Sequence, residues 1–116
     1  MVGKGSEEGF VGILEGISIK TLCRGEGTMM TEFRLRAGAT LPDHAHPNEQ
    51  TGYLLRGRIR LFLGDSGRVL VPGDSWCIAG GVRHRAEVLE DSAAIEVFAP
   101  PRADYEKYLR EAEVLP

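Results

Sequence analysis

A chain of 116 residues has room for one domain and not for two. With 42% hydrophobic and 27% charged residues it can build a core, which excludes a disordered chain. A net charge of −3 and the lack of any Lys/Arg cluster exclude a nucleic-acid face, and no apolar run is long enough to span a bilayer.

In chain order, MVGKGSEEG has no apolar centre of signal-peptide type, so residues 1–9 are expected to fray. From there the chain predicts short strands: GISIKTL (16–22), TMMTEFRLR (28–36), GYLLRG (52–57), RIRLFL (58–63), RVLV (68–71), SWCIA (75–79) and AAIEVF (93–98). In TEFRLR, Phe33 and Leu35 share one face, opposite Glu32, Arg34 and Arg36. Ile59, Leu61 and Leu63 align likewise, leaving Arg58 and Arg60 on a solvated or subunit-facing side. GDSG (64–67) signals a hairpin and PGD (72–74) a tight turn. The pattern indicates an all-β sandwich or barrel over residues 10–101. The tail, 102–116, differs. After a proline pair, ADYEKYLREAE carries strong helix formers with Glu106 four residues before Arg110, predicting one α-helix from Ala103 to Glu113. Cys23 and Cys77 form no C-x-x-C, so a reducing cytoplasm is the expected location, and Cys77 reads as a buried thiol.

The three histidines fall in two places. Residues two apart on a strand point the same way, so His44 and His46 can present imidazoles to one point, half of a metal site. Gln50 and His84 are candidates for the remaining ligands. A lone H-x-H is more often a solvated pair on a loop edge. Here it sits in GATLPDHAHPNEQTGYLLRG, and PGDSWCIAGGVRH puts a glycine-rich turn before the third histidine.

On those stretches the chain resembles the cupin superfamily. The first cupin motif aligns with Gly38, His44, His46, Gln50 and Gly57, and the second runs from Gly73 through Gly81 to His84. Ala79 replaces the usual proline of the second motif, and Val88 the asparagine that often closes it. The resemblance implies a jelly-roll barrel (a double-stranded β-helix), which the short predicted C-terminal α-helix follows. It also implies one divalent metal inside, held by three histidines and one oxygen. For that oxygen Gln50 is preferred to Glu49: spacing and strand parity favour it, and small cupins of the H-x-H-P-x-E-Q type use the glutamine. The set is neutral and suits Zn, Ni, Fe, Mn or Cu. Small cupins commonly pair through outer strands, so a homodimer is expected.

Downstream, EDSAAIEVFAPPRADY resembles the end of the KdgF-type pectin-degradation cupins, whose members ketonise linear 4,5-unsaturated uronates. The matching positions are Glu96, where the family usually has aspartate, Phe98 and Arg102. The resemblance implies Glu96 and Arg102 as catalytic residues and Phe98 as a substrate contact, with Tyr53 a further candidate for the pocket. Residue type and spacing alone leave plainer readings open: Glu96 on the solvent side of its strand, Phe98 and Tyr53 in the core or pocket wall, Arg102 merely near the helix start. Trp76 reads as core or pocket wall, and Met29 and Met30 as gap-fillers. The function so implied is a metal-dependent isomerase acting on a small sugar acid. A metal-dependent dioxygenase and a non-catalytic ligand-binding cupin are the alternatives.

Overall fold

Alternation along the chain is realised as strands in the computed structural model, which describes all 116 residues. They are β1 (Val2–Gly3), β2 (Val11–Leu14), β3 (Ile17–Arg24), β4 (Met29–Leu35), β5 (Thr40–His44), β6 (Glu49–Leu63), β7 (Ser66–Leu70), β8 (Ser75–Ile78), β9 (His84–Ala99) and β10 (Val114–Leu115). The main sheet runs β2-β3-β4-β9-β6-β7, with β5 added to β9 and β8 to β6, and every pairing is antiparallel. The all-β jelly-roll expectation holds. No helix is long and apolar enough to cross a membrane.

Two long strands form the spine. The early half of β9 pairs with β5 and its late half with β4, while β6 pairs first with β8 and then with β7. Each strand must therefore turn from one face of the sandwich into the other. In β6 the turn falls at Gly57, between register shifts on either side, with φ +92. A Cβ there would lie 2.0 Å from Ser92 Oγ and 2.4 Å from the Asp91 carbonyl, so only glycine lets the two spine strands cross this closely. GYLLRG and RIRLFL are thus one bent strand, and β9 extends back from AAIEVF to His84.

The turns behave as their sequences require. Leu63 pairs with Ser66 across the two residues Gly64 and Asp65. Asp74 closes the PGD turn by accepting the Val71 amide on Oδ2 at 2.9 Å. The interior is built by strand alternation. Ile17, Ile19, Phe33 and Phe98 form one buried cluster, and Leu54, Ile59, Val88 and Ala94 another. Burying a side chain the size of Phe98 stabilises the fold by about 2–3 kcal/mol. Met29 is fully buried and Met30 exposed. Cys77 is exposed, not buried: Trp76 and Ile78 take the inward positions of β8, so the residue between them faces out.

The tail corrects the sequence reading. No α-helix spans Ala103–Glu113; the segment makes two 3-10 turns, Ala103–Tyr108 and Glu111–Glu113. Tertiary contacts override propensity here. Thr21 Oγ1 donates to the Tyr105 carbonyl at 2.7 Å, and Leu109 bridges in parallel to Thr21, which holds the chain extended along β3. Glu106 pairs with Arg24 at 3.0 Å rather than with Arg110. The N-terminus, expected to fray, is paired: Val2 and Gly3 face Leu115 and Val114. Nearby, Lys20 Nζ meets Glu113 at 2.6 Å.

Candidate metal centre

His44 ends β5 and His84 begins β9, and the two are register partners with ring centroids 4.1 Å apart. His46 lies beyond the strand, where Pro47 can donate no ladder bond; its ring is 5.0 Å from that of His84. The three rings therefore converge from a strand end, a strand start and a loop, not by alternation along one strand. The glycine pair before His84 makes this possible. Gly81 N–H donates to the His46 carbonyl at 2.8 Å, and a Cβ on Gly80 would lie 2.3 Å from the Pro47 carbonyl.

Each imidazole is aimed by the backbone. Nδ1 lies 2.8 Å from the Pro42 carbonyl in His44, 3.0 Å from that of Asn48 in His46, and 2.9 Å from that of Val82 in His84. A carbonyl can only accept, so each Nδ1 carries the hydrogen and each Nε2 presents a lone pair. The three ligating positions lie within 4.8 Å of one another. Burial pushes His46 below the usual imidazole range, with the Arg102 charge acting in the same direction. Burial does the same to His84. Both are thus neutral, as metal ligation requires.

Two observations test whether a cation suits this cluster. His84 Nε2 is buried with no hydrogen-bond partner, a costly state that coordination relieves. In addition, His46 Nε2 and Gln50 Oε1 lie 2.9 Å apart, and with the histidine hydrogen on Nδ1 both are acceptors. A cation beside them resolves that conflict. The Gln50 orientation is fixed from its other end, where Nε2 donates to Glu96 Oε2 at 2.8 Å. The cluster fits a divalent metal bound by nitrogen and oxygen.

Glu96 is buried and receives a second bond, from Trp76 Nε1, also on Oε2, at 3.3 Å. Burial pushes its carboxyl up to about 8, against the lowering effect of the Gln50 and Trp76 donors, so it keeps its proton near neutrality. Phe98, two residues on, meets His46 edge-on at 5.7 Å. The Arg102 guanidinium lies 5.2 Å from the Phe98 centroid and 3.9 Å from that of Tyr105, and bonds Asp104 at 2.8 Å. Histidines 44 and 84, Gln50, Glu96, Phe98 and Arg102 line one cavity of about 50 Å³. That is room for a few waters, so a larger guest must displace part of the wall.

Residues 31–99 match the cupin domain family. The chain belongs to that family. Among solved structures, KdgF from Halomonas sp. is 28% identical, with 90% of this chain and 96% of that one covered and a TM-score of 0.85. An RmlC-like cupin from Shewanella frigidimarina is 25% identical over 90% and 94% of the two chains, again at 0.85. A salicylate 1,2-dioxygenase from Pseudoaminobacter salicylatoxidans, 12% identical with 83% and 30% covered and a TM-score of 0.73, shares the fold. No curated protein matches this cupin's sequence.

Not every residue singled out in the sequence joins the cupin cavity. Tyr53 is 48% exposed on the outer face of β6, because Gln50, Gly52 and Leu54 take the inner positions. Glu49 is exposed for the same reason, which leaves Gln50 as the inward oxygen. Tyr105, hidden in the expected helix, instead lines the cavity and stacks edge-on against Phe98 at 5.5 Å. An aromatic residue just past the Pro-Pro-Arg turn was its only signal in the sequence.

Proposed function

We propose that this cupin is a metal-dependent tautomerase that ketonises a linear 4,5-unsaturated uronate or a closely related sugar acid. The observation that carries the reading is a buried carboxyl group, Glu96, lining the same cavity as a convergent histidine cluster and the Arg102 guanidinium. His44, His46 and His84 through Nε2, and Gln50 through Oε1, would hold one divalent ion: Zn, Ni, Fe, Mn or Cu. When bound, the ion supplies Lewis acidity that stabilises an enolate oxygen.

The protein's own groups do the rest. Arg102 pairs with the substrate carboxylate, for which its planar fork is suited. Phe98 walls the reacting carbons from water. Glu96 delivers its proton to the carbon end of the enol, and the carboxylate so formed takes back the enol O–H proton through a water, so C=C–OH becomes CH–C=O with no net reactant. A group that stays protonated near neutrality can serve as that acid. The likeness to KdgF over most of both chains supports the same reading. A six-carbon acid exceeds the cavity, so this reading requires the wall that Arg102 and Tyr105 help to form to open for substrate. A homodimer belongs to this reading too, with Tyr53 and Leu55, 48% and 46% exposed on β6, as apolar outer-face contacts.

The test is to mix the metal-loaded protein with 4,5-unsaturated galacturonate and follow ketone formation by proton NMR. Conversion faster than the spontaneous reaction and abolished by chelator is expected. No acceleration with metal fully bound overturns the assignment.

A further inference from the structure

One residue of the inner wall has a contact that the proposed reaction does not by itself require. Trp76 on β8, Gly52 on β6 and Glu96 on β9 lie in one row across three neighbouring strands, with Gly52 the register partner of both. Side chains two strands apart do not ordinarily meet, because the residue between them intervenes. Here the middle residue has no side chain. A Cβ on Gly52 would lie 2.1 Å from Trp76 Cε2 and 2.2 Å from its Nε1, so the indole lies flat over the β6 backbone at this point. It thereby brings Nε1 to 3.3 Å from Glu96 Oε2.

The second donor, Gln50 Nε2, falls on the same oxygen at 2.8 Å. Two N–H groups from two different strands thus converge on Oε2, and Oε1 takes no hydrogen bond from the protein. Terminal carboxylate torsions are broad and two-fold, so a single donor leaves the group free to rock about its last bond. Two donors at an angle define its plane and turn the other oxygen to the cavity.

We propose that Trp76 is a positioning residue: reaching across the gap left by Gly52, it fixes the plane of the Glu96 carboxyl and so makes Oε1 the oxygen presented to substrate. Its catalytic consequence rests on the tautomerase reading; its geometric content does not. Neither the sequence motifs nor the metal centre requires a hydrogen bond at this position.

The experiment uses the fact that Trp76 is the only tryptophan. In zinc-loaded, nitrogen-15-labelled protein the indole N–H gives one resolvable resonance. It is expected to lie downfield and to exchange slowly with solvent, and to move upfield in Glu96→Ala, which removes the acceptor. Trp76→Phe keeps a ring over Gly52 but removes the donor. It is expected to lower kcat about tenfold, the worth of one hydrogen bond to a carboxyl group, with KM and zinc content unchanged. A purely structural role would shift stability without that split. An indole resonance identical in wild type and Glu96→Ala overturns the proposal, as does wild-type kcat in Trp76→Phe. If wild-type protein does not turn over the uronate, the function reading fails and the resonance alone decides the positioning. If Trp76→Phe does not fold, the resonance again decides.

Discussion

The two ends of β9 organise their functional side chains by different means. At the start, His84 is held by its own backbone neighbourhood: Nδ1 meets the carbonyl of Val82, two residues back. His44 and His46 use carbonyls equally close in sequence. Towards the other end, Glu96 is held only by long-range partners, Gln50 46 residues away and Trp76 20 away. The histidine end is a set of locally aimed ligands brought together by strand pairing and a glycine turn. The carboxyl end depends on three strands keeping register. The first should therefore fail ligand by ligand, and the second as a unit.

Removing a ligand should produce the largest effect. His84→Ala is expected to weaken metal binding by more than roughly a hundredfold, measured as metal content after dialysis against a weak chelator. Full occupancy in that variant would remove His84 from the centre and with it the contrast between the two ends. Glu96→Gln should leave metal content intact and lower turnover by about 10²–10⁴-fold, the usual worth of a general acid. Equal loss of metal and activity would mean that the two ends act as one structure.

The next effect is on stability in metal-free protein. The Glu96 carboxyl titrates near 8 when folded and near 4.5 when exposed. Between those values the folded chain keeps a proton that the unfolded chain has lost. Stability from this group is therefore full below about pH 4.5, falls as pH rises, and levels off above about 8, by an amount on the order of a few kcal/mol. His46 and His84, held below the usual imidazole range, act in the opposite sense, losing stability as pH falls. Urea unfolding of wild type and Glu96→Gln at pH 5 and pH 8 separates the two. The wild type should lose more stability at pH 8 relative to the variant, and parallel curves would sink the idea that Glu96 is neutral inside the barrel.

How much of this was legible in the sequence follows the same division. The histidines, Gln50 and the glycine turns stand at fixed short spacings, because backbone geometry at a strand end ties them to their neighbours. Their approximate grouping could be read directly. That Glu96 and Phe98 share one face follows from alternation, whereas which face points inward does not. The Trp76 bond could not be read, since it requires knowing that β8 and β9 flank β6 with Gly52 in the shared row. Tyr53, three residues past the inward Gln50 on the same strand, falls on the outer face by parity within β6. The tail misled for another reason: its helix propensity is real, but Thr21, Arg24 and Lys20 on β3 offer it better partners than a helix would.

That tail supplies the smallest expected effect and a control on the comparison. Lys20 is only 3% exposed and meets Glu113 at 2.6 Å, while Ser6 Oγ donates to the same carboxylate at 2.8 Å. The Lys20 ammonium, and then the Ser6 hydroxyl, hold the Glu113 carboxyl below its ordinary range. A lowered folded value means that the clasp is fully present above the unfolded value and is lost as pH falls through the folded one. Glu113→Gln should therefore lower amide-exchange protection, relative to the unstructured rate at the same pH, at Val2, Gly3 and Leu115 at neutral pH, and abolish the further loss of protection on acidification. Turnover should stay within about twofold, because Tyr105 is anchored separately by its carbonyl to Thr21. A larger loss would mean that the clasp, eight residues beyond Tyr105, sets the position of the cavity wall. The carboxyl end of β9 would then depend on the termini as well as on its neighbouring strands.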